Sequence, residues 1–506
     1  MKDSVDSSPT PPQESKSRRL SPALLLRYVR MRSRRFLALL VTVTHIVGAL
    51  TSVQAIMETR TSQGAIAWAI SLNTFPYLAV PAYWVFGRSK FDRYVEQSRE
   101  NLESIRPLVA GFIEKAESEN FVVSSPDPHN DLMKRLLRVP ATRGNAVELL
   151  IDGDEIFPSL FAGIDKAESY LLLQFYIVRD DTIGQRLKAA LLAARARGVR
   201  VHFIIDEVGS HDLPDAYLDE LREAGVEIVP FNRRSGLTNR FQLNFRNHRK
   251  VVIADGRHAW VGGVNIGDEY DDGHETLTPW RDTMVKLTGP AVQSLQFPYL
   301  EDWFWATEKL LTLDWDPVAD PAGGDLTVLA VPTGPADPFE TCGLYFHDLI
   351  NRAEQRVWIA SPYFVPDEQT VSALKLAALR GVEVRILIPE KTDSWHLDLS
   401  SWSYAPGLLR AGVKLYRHER GFMHQKVVLV DDDLATVGSA NFDNRSFRLN
   451  FEITMEVRNA DFATKVEKML VSDFGDARLV AEGELEKQSF LYRFGVKASN
   501  LLAPVQ

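Results

Sequence analysis

Two short stretches of the sequence place a histidine and a lysine at the same spacing ahead of an aspartate. They read HRKVVIAD and HQKVVLVD. Because side chains alternate along a β-strand, a histidine and the lysine two positions later project from the same face. Each stretch therefore presents an imidazole and an ammonium group to one spot, and we expect the aspartate at the strand end to brace the strand rather than contact a ligand. The candidate catalytic set is His248, Lys250 and Asp255 with His424, Lys426 and Asp431.

Each stretch is followed by a glycine-containing turn that ends in asparagine at the same offset from its histidine. VGGVN ends at Asn265, and VGSAN contains Ser439 and ends at Asn441. Glycine lets the backbone approach a ligand closely. Two imidazoles, two ammonium groups and two carboxamides around one cavity predict a phosphodiester site. The lysines, asparagines and Ser439 would hold the phosphate oxygens, while one histidine attacks phosphorus and the other protonates the leaving alkoxide.

A carboxylate on a later strand of each half is predicted to orient the histidine of that same half. Glu452 lies in NFEITMEV, and aligning WRDTMVKL with this strand gives Asp282 the same role in the first half. A carboxylate that accepts one ring N–H fixes the tautomer and makes the other nitrogen more basic. The first half also has a longer polar loop, GDEYDDGHETLTP, which we expect to border the cleft with His274 and Glu275 solvated rather than catalytic.

The elements that carry these residues occur twice in the chain. The segments YLLLQFYIVRDDTIGQRLKAALLAARARGVRVHFIIDE and RVWIASPYFVPDEQTVSALKLAALRGVEVRILIPEK share one order of apolar strand, Asp-containing loop, amphipathic helix, Arg-Gly-Val and second strand. Tyr176 in the first copy matches Tyr363 in the second. The alternation predicts an α/β fold of βα units on a largely parallel sheet. Two copies predict a pseudo-dimer of α/β sandwich domains with a shared cleft at their junction.

The composition is that of a globular protein with a substantial core. The chain has 506 residues, of which 45% are hydrophobic and 25% charged, which suits two or three domains. A net charge of -9 argues against a general nucleic-acid binder. The single cysteine, Cys342, suits a reducing compartment and a position in the core.

The N-terminal part differs in kind from the rest. Residues 36–57 and 61–87 contain no Asp, Glu, Lys or Arg, and each is long enough to cross a bilayer as a helix. Basic residues flank both outer ends, which predicts a transmembrane hairpin with both ends in the cytoplasm. A signal peptide and a buried helical hairpin are the alternatives. We assign 1–35 to a disordered, basic cytoplasmic tail, 36–87 to two transmembrane helices, 88–139 to a linker helix, and 140–320 and 321–506 to the two domains.

The motifs resemble those of the phospholipase D superfamily over about residues 140 to 506. The segments RNHRKVVIADG, PWRDT, SPYFVPDE, GFMHQKVVLVDD and VGSANFDNRSFRLNFE, with FGRSK after a two-span N-terminus, resemble the bacterial cardiolipin synthases. The resemblance implies two phospholipase D-like domains on the cytoplasmic side of the bacterial inner membrane. It also implies an enzyme without a metal or other cofactor that joins two phosphatidylglycerol molecules into cardiolipin and releases glycerol.

The resemblance further implies roles for the two histidines. His248 would attack the phosphorus of one phosphatidylglycerol while His424 protonates the departing glycerol. A hydroxyl of a second lipid would then attack the phosphatidyl-histidine, with His424 as base. A phospholipase D hydrolase would use the same residues with water as acceptor. A nuclease fits membrane spans and negative charge poorly, and two complete motifs disfavour a membrane scaffold with a decayed domain. The oligomeric state and the use of phosphatidylethanolamine stay open.

Overall fold

The computed structural model describes residues 22–59, 61–87, 92–124, 127–231, 245–274 and 276–505. Residues 1–21 of the predicted disordered tail, the end of FGRSK and Glu275 lie outside the described residues. Residues 22–35 of that tail are helical, so disorder was a wrong prediction for this part. Contacts between residues divide the chain into two units, Met1–Arg88 and Ser89–Gln506. The domain boundaries predicted at residues 139 and 320 stay predictions.

The first unit contains one helix that is long and apolar enough to cross a membrane. This segment is Ser33–Glu58, and no other helix in the described part of the chain meets the same description. Its apolar side chains are largely exposed, as lipid contact would require, with Leu50 at 68%. The helices of this unit are α1 (Pro22–Glu58), α2 (Ser62–Thr74) and α3 (Pro76–Ala82), followed by a π-helical turn, Tyr83–Gly87.

The second predicted span is an interrupted helix, and its crossing of a membrane stays a prediction. The chain leaves helical geometry at Phe75 (φ -132°), and α3 starts afresh at Pro76. Proline lacks an amide donor and its ring crowds the preceding turn, so it interrupts the helix there. α2 and α3 nevertheless pack against α1. Gly48 allows this approach, because a Cβ atom at this position would lie 2.2 Å from the Leu72 carbonyl oxygen.

The predicted linker helix is two helices, and the rest of the second unit, where it is described, consists of a 16-stranded sheet and two two-stranded sheets with helices around them. The linker helices are α4 (Asp92–Ser118) and α5 (Pro128–Leu136). The first half of the sheet region contains β1 (Thr142–Ile151), α6 (Asp152–Lys166), β2 (Tyr170–Phe175), α7 (Thr182–Ala196), β3 (Arg200–Ile205), α8 (Asp215–Glu223), β4 (Glu227–Pro230), β5 (Arg246–Asn247), β6 (Val251–Ala254), β7 (His258–Gly262), a 3₁₀ turn (Asp268–Asp271), β8 (Trp280–Arg281), β9 (Thr283–Thr288) and α9 (Ala291–Thr307).

The second half repeats this order with additions at its end. It contains β10 (Leu326–Thr333), α10 (Thr341–Arg352), β11 (Arg356–Ala360), β12 (Phe364–Val365), α11 (Glu368–Leu379), β13 (Glu383–Pro389), α12 (Trp395–Trp402), α13 (Ala405–Leu409), β14 (Lys414–His418), β15 (Phe422–Met423), β16 (Val427–Val430), β17 (Leu434–Gly438), β18 (Phe442–Asp443), α14 (Asn444–Arg448), β19 (Asn450–Arg458), α15 (Ala460–Gly475), β20 (Ala477–Leu479), α16 (Phe490–Ser499) and a 3₁₀ segment (Asn500–Val505).

The strand order of the two halves is the same. It is β1-β9-β7-β6-β2-β3-β4 in the first half and β10-β19-β17-β16-β11-β13-β14 in the second, and β1 pairs with β10 in an antiparallel way where they meet. The predicted α/β fold of two matching halves is confirmed. The expectation of a largely parallel sheet was wrong: along the strand orders given above, the described parallel pairs are those of the βα crossovers, such as β2–β3 and β3–β4, whereas the motif strands form antiparallel hairpins such as β6–β7. A short turn suffices for an antiparallel pair, while a parallel pair needs a crossover.

The repeated crossover helices begin and end on the residues that marked the repeat. Asp181 accepts a hydrogen bond from the Gly184 amide at the start of α7, and Asp367 accepts one from the Thr370 amide at the start of α11. Both helices end before a glycine with positive φ, namely Gly198 and Gly381. These strands and helices enclose an apolar core that both halves share beneath α9 and α15.

Candidate active site

Each motif segment docks against the opposite half of the sheet. β5, just before His248, pairs in parallel with the start of β19, and β15, just before His424, pairs in parallel with β8. The His248 amide donates to the Phe451 carbonyl at 2.9 Å, and the His424 amide donates to the Arg281 carbonyl at 2.7 Å. Because Phe451 and Arg281 directly precede the two predicted carboxylates, each histidine lies beside the carboxylate of the other half.

The imidazole of His248 is held through Nδ1 by Glu452. The distances from Nδ1 to the two carboxylate oxygens are 3.0 and 2.9 Å. Glu452 is fully buried and also accepts hydrogen bonds from the Ser439 hydroxyl (2.6 Å), the Ser446 hydroxyl (2.8 Å) and the Asn450 amide (3.1 Å). Burial alone would raise the pKa of Glu452, but the adjacent imidazole, the Lys250 ammonium and the Ser439 hydroxyl keep its pKa below the usual value. The carboxylate is therefore ionised and fixes the His248 proton on Nδ1.

The imidazole of His424 is held in the same way by Asp282. Nδ1 lies 2.7 Å from Oδ2 of Asp282, and Oδ1 accepts a hydrogen bond from the Thr283 amide at 2.8 Å. The Asp282 amide itself donates to Asp152 at 3.0 Å. Although burial opposes ionisation, the ammonium of Lys426 and the imidazole lower the pKa of Asp282. Asp282 is thus ionised as well.

The predicted orienting residues are both in the site, but their predicted pairing was wrong. The sequence alignment gave Asp282 to His248 and Glu452 to His424, whereas the structure joins His248 to Glu452 and His424 to Asp282. The physical reason is the crossing of β5 and β15 to the other half, which puts each histidine against a strand that is remote in the chain. A pairing of this kind makes each catalytic histidine depend on both halves.

Both histidines are neutral in the free site. Burial lowers the pKa of His248 to about 4 and the pKa of His424 to about 3, and the nearby lysine ammonium groups act in the same direction. The charge of Lys250 acts on His424, and that of Lys426 on His248, so the two motifs share one electrostatic environment. A neutral imidazole with Nδ1 protonated has its lone pair on Nε2, which is the form a nucleophile needs.

The ammonium groups of the two lysines lie differently around the two histidines. Lys250 donates to the backbone carbonyl of His248 at 2.7 Å, and its ammonium nitrogen lies 5.3 Å from the ring centroid of Tyr176. Lys426 likewise donates to the backbone carbonyl of His424, and its ammonium group also lies against the ring, with Nζ 2.9 Å from Nδ1 and 3.0 Å from Nε2. No described residue donates a hydrogen bond to Nε2 of His248. The lone pair of His248 is therefore open to a substrate, whereas the ring of His424 has an ammonium group lying against it.

The predicted phosphate-binding residues occupy the turns next to this site. Asn265 accepts from the Ile177 amide at 3.1 Å and donates to the Tyr270 hydroxyl at 2.6 Å. Asn441 is buried, and its Oδ1 atom has no hydrogen-bond partner among the described residues. Ser439 donates to Glu452, so in this structure its hydroxyl supports the carboxylate. Contact of these three residues with phosphate stays a prediction.

The two motif aspartates lie at strand ends, where they bind backbone amides. Asp255 accepts from the amides of residues 168–170, and Asp431 accepts from the amides of residues 354–356. Both take left-handed backbone geometry, with φ of 55° and 48°. Their carboxylates are committed to the turn before β2 and the turn before β11. This is the bracing role expected from the sequence, and their place in the candidate catalytic set is therefore corrected to a structural one.

Aromatic rings surround His424 on several sides. Ring centroids of Tyr270, Trp280, Phe422 and Tyr363 lie 5.9, 5.4, 5.6 and 6.5 Å from that of His424. Tyr270 belongs to the longer loop of the first half and Trp280 directly follows it in β8, so this loop borders the site as predicted. His274 of this loop accepts from the Thr276 and Leu277 amides at 3.2 Å and takes no part in the pair of histidines.

Sequence reasoning missed the polar side chains that support Glu452. Ser446 and Asn450 were not singled out, although both lie in NFDNRSFRLNFE. Their signal is the density of small polar residues between two apolar strands, since buried polar groups require partners. The described residues contain no group of three or more His, Cys, Asp or Glu side chains placed to hold a metal ion. The predicted absence of a metal stays a prediction.

Comparison with known proteins gives matches to each half of the repeat and to most of the chain. A family model described as "Cardiolipin synthase, PLD-like domain" matches residues 160–285 and 346–474, one match in each half. Cardiolipin synthase A of Pseudomonas syringae pv. syringae is 44% identical over 91% of this chain and 96% of its own length. Cardiolipin synthase A of Pseudomonas aeruginosa is 45% identical over 94% of this chain and 97% of its own length.

A solved structure supports the fold. Phosphatidylserine synthase of Haemophilus influenzae superposes with a TM-score of 0.55 at 16% identity, covering 71% of this chain and 95% of that one. At this identity the likeness concerns the fold alone. The resemblance drawn from the two motifs is confirmed by the family model and by the curated relatives. Matches in both halves and relatives aligned over nearly their full length show that the chain belongs to the cardiolipin synthases, phospholipase D-like phosphatidyltransferases that act on phospholipids.

Proposed function

We propose that the chain transfers a phosphatidyl group from one phosphatidylglycerol to another through a phosphatidyl-histidine. Nε2 of His248 forms a bond to phosphorus as the bond to the glycerol oxygen breaks, and His424 gives that oxygen a proton. A hydroxyl of the second phosphatidylglycerol then loses its proton to His424 and displaces His248 from phosphorus. The products are cardiolipin and glycerol. One phosphodiester replaces another, so the transfer needs no nucleotide.

The observation that carries this proposal is the pair of buried imidazoles, each hydrogen-bonded through Nδ1 to a carboxylate from the other half. Glu452 leaves the lone pair of His248 open, which supports its role as nucleophile. The Lys426 ammonium lies against the ring of His424, so the two imidazoles have different surroundings, as two different roles require. A bound phosphodiester anion would raise the pKa of His424 in the complex and so favour its protonated form. Lys250, Lys426, Asn265, Asn441 and Ser439 are proposed to hold the phosphate oxygens.

The test uses the full chain in detergent with phosphatidylglycerol labelled separately in the acyl chains and in the head group. The proposal expects cardiolipin and one free glycerol for each cardiolipin formed, also in the presence of EDTA. Labelled phosphatidic acid with no cardiolipin would instead identify a hydrolase. Activity that EDTA abolishes and a divalent ion restores in the chemical step would reject the proposed site. A second reaction with labelled phosphatidylethanolamine shows whether that lipid serves as donor.

The membrane association of the family agrees with the apolar helix Ser33–Glu58. We further propose a multi-pass anchor in the bacterial inner membrane, with the catalytic halves in the cytoplasm. The support is the absence of Asp, Glu, Lys and Arg from 36–57 and 61–87 and the basic residues at their outer ends. Reporter fusions near Glu58 and after Arg93 test it. A fusion after Arg93 that reports from outside the membrane would reject this topology.

A further inference from the structure

Two matching tyrosines meet opposite charges in the two halves. Tyr176 follows β2 and Tyr363 stands at the same place after β11, and both rings lie near a motif histidine. Ring centroids are 5.1 Å apart for Tyr176 and His248 and 6.5 Å apart for Tyr363 and His424. The backbone repeat would give both tyrosines the same task. The groups around their hydroxyls show that the tasks differ.

The hydroxyl of Tyr176 lies among positive charges. Arg246 and Arg445 stand beside it, and the ammonium of Lys250 lies 5.3 Å from its ring centroid. Asp206 is near, but its carboxylate accepts hydrogen bonds from the amides of Val208, Gly209 and Asn247 at 2.9 to 3.0 Å and offers little to a ligand. This side of the cleft therefore suits anionic groups.

The hydroxyl of Tyr363 instead donates to a carboxylate. Its distances to the two oxygens of Asp393 are 2.8 and 2.9 Å. Asp393 is exposed and lies in the segment between β13 and α12. Its charge acts on Lys426 and Tyr270, both of which contact or border His424. Asp393 therefore stands at the mouth of the cleft on the His424 side.

A carboxylate at this position is unfavourable for an incoming phosphate but suitable for hydroxyl groups. Like charges repel, whereas an ionised carboxylate is a strong acceptor for two O–H donors at once. In the proposed reaction His424 protonates the leaving glycerol and later deprotonates the attacking glycerol head group. Both head groups therefore occupy the His424 side, next to Asp393.

We propose that Asp393, oriented by Tyr363, binds the free hydroxyls of the glycerol head group and determines the specificity of transfer for this alcohol. The inference rests on the proposed function, because it assigns the head-group side through the role of His424. An ammonium head group is the competing ligand for a carboxylate. The ammonium groups of Lys250 and Lys426 disfavour a further cation in the same cleft, so the ligand that we propose for Asp393 is the uncharged glycerol group.

The experiment measures how the phosphatidyl-enzyme divides between two alcohols. Acyl-labelled phosphatidyl-p-nitrophenol loads the full-length enzyme without needing a protonated leaving group. Glycerol and n-propanol are then present at equal concentration, and phosphatidylglycerol and phosphatidylpropanol are counted. The wild type should favour glycerol. Asp393→Asn and Asp393→Ala should lower the glycerol-to-propanol ratio about tenfold, as expected for loss of a charge-assisted hydrogen bond. Tyr363→Phe should lower the ratio less.

Tyr176→Phe is the matched control, because it removes the equivalent hydroxyl from the cationic side. Its ratio should equal that of the wild type even if its rate changes. An unchanged ratio in both Asp393 variants, or an equal change in Tyr176→Phe, would overturn the inference. A wild type that prefers ethanolamine over glycerol, with the preference lost in Asp393→Ala, would also overturn it in favour of an ammonium site. The ratio can be read even if the chain makes no cardiolipin, so failure of the proposed function is distinguished from failure of this inference.

Discussion

The two halves of the sheet present their histidines on equivalent strands but surround them differently. Among the residues that the structure describes, His248 lies near one aromatic ring, Tyr176, and its Nε2 atom accepts no hydrogen bond. In the same described part of the chain, His424 lies among four rings, and the Lys426 ammonium lies against its imidazole. The repeat supplies two imidazoles in one cleft, and the differences between the halves separate the nucleophile from the acid and base. We therefore expect equivalent substitutions in the two halves to have different effects on the reaction.

The largest effect should come from removing the two imidazoles one at a time. We expect His248→Ala to form no phosphatidyl-enzyme from acyl-labelled phosphatidyl-p-nitrophenol, because its nucleophile is gone. His424→Ala should form the adduct, since p-nitrophenolate leaves without a proton, and should then release it very slowly. Both variants should lose at least about a thousandfold in cardiolipin synthesis. The measurement is acid-quenched label on the protein against time.

The position of the label decides the comparison. Digestion of the His424→Ala adduct should place the phosphatidyl group on the peptide that contains His248. A labelled His424 in the His248→Ala variant would reverse the two roles. Such a result would also place the head groups beside His248, away from Asp393, and so contradict the role proposed for Asp393.

The next largest effect should come from the crossed carboxylates, Glu452 and Asp282, each of which binds the histidine of the other half. We expect substitutions of the two residues to slow different steps of the reaction. Glu452→Gln should slow adduct formation from the activated donor on the order of a thousandfold, because the tautomer of His248 is no longer fixed. Asp282→Asn should leave that step nearly intact and slow release instead, because it acts through His424. Single-turnover kinetics with the activated donor measure both steps. The reverse division would restore the pairing within each half that the sequence alignment suggested.

How far the sequence predicted this site follows from which contacts are local. The period of a strand puts His248 and Lys250 on one face, and the repeated spacing identifies Asn265 and Asn441, because these relations involve short stretches of chain. The crossed carboxylates involve pairs such as His248 and Glu452, which meet only through the docking of β5 on β19. A repeat shows that two units are alike, but not that each completes the site of the other.

The same limit applies to the fold. Apolar strands and amphipathic helices predicted the α/β units and their duplication. The direction of strand pairing depends on the connections, so the antiparallel pairs around β6 and β7 were not expected. In the first unit, composition indicated two apolar spans, but the interruption of the second at Pro76 depends on local geometry that a count of charged residues does not include.

A smaller effect should come from the one position where the turns VGGVN and VGSAN differ next to a carboxylate. A Cβ atom at Gly263 would lie 2.1 Å from Oδ1 of Asp282, so Gly263→Ala must displace this carboxylate from His424. We expect a loss of 10- to 100-fold in kcat, in the range for residues that position another group. Ser439→Ala removes one donor from Glu452, but Ser446 and Asn450 remain, so its loss should stay below about tenfold.

The two turn variants are matched, because both change the same position of the repeat. Their thermal stability and their rates of adduct formation and release should be measured together. Gly263→Ala should act on release, as Asp282→Asn does, and Ser439→Ala on formation. Equal losses in both variants, or a loss in Gly263→Ala that follows its melting temperature alone, would show that the turns do not differ in this way.

The smallest effect concerns pH and separates the two lysines. Burial lowers the pKa of Lys426 to about 8, and the pKa of Lys250 is also lowered by burial. As pH rises through about 8, Lys426 loses its proton and with it the positive charge that would hold the phosphate oxygens. We therefore expect kcat/KM, which reports the free enzyme, to fall above about pH 8. In Lys426→Arg the guanidinium keeps its charge, so this decline should move to higher pH. The rate at neutral pH should be severalfold lower, because the planar group fits differently.

Lys250→Arg is the matched variant and should keep the decline near pH 8. A decline that stays near pH 8 in Lys426→Arg but moves in Lys250→Arg would assign the titrating ammonium to the first half and reverse this part of the comparison.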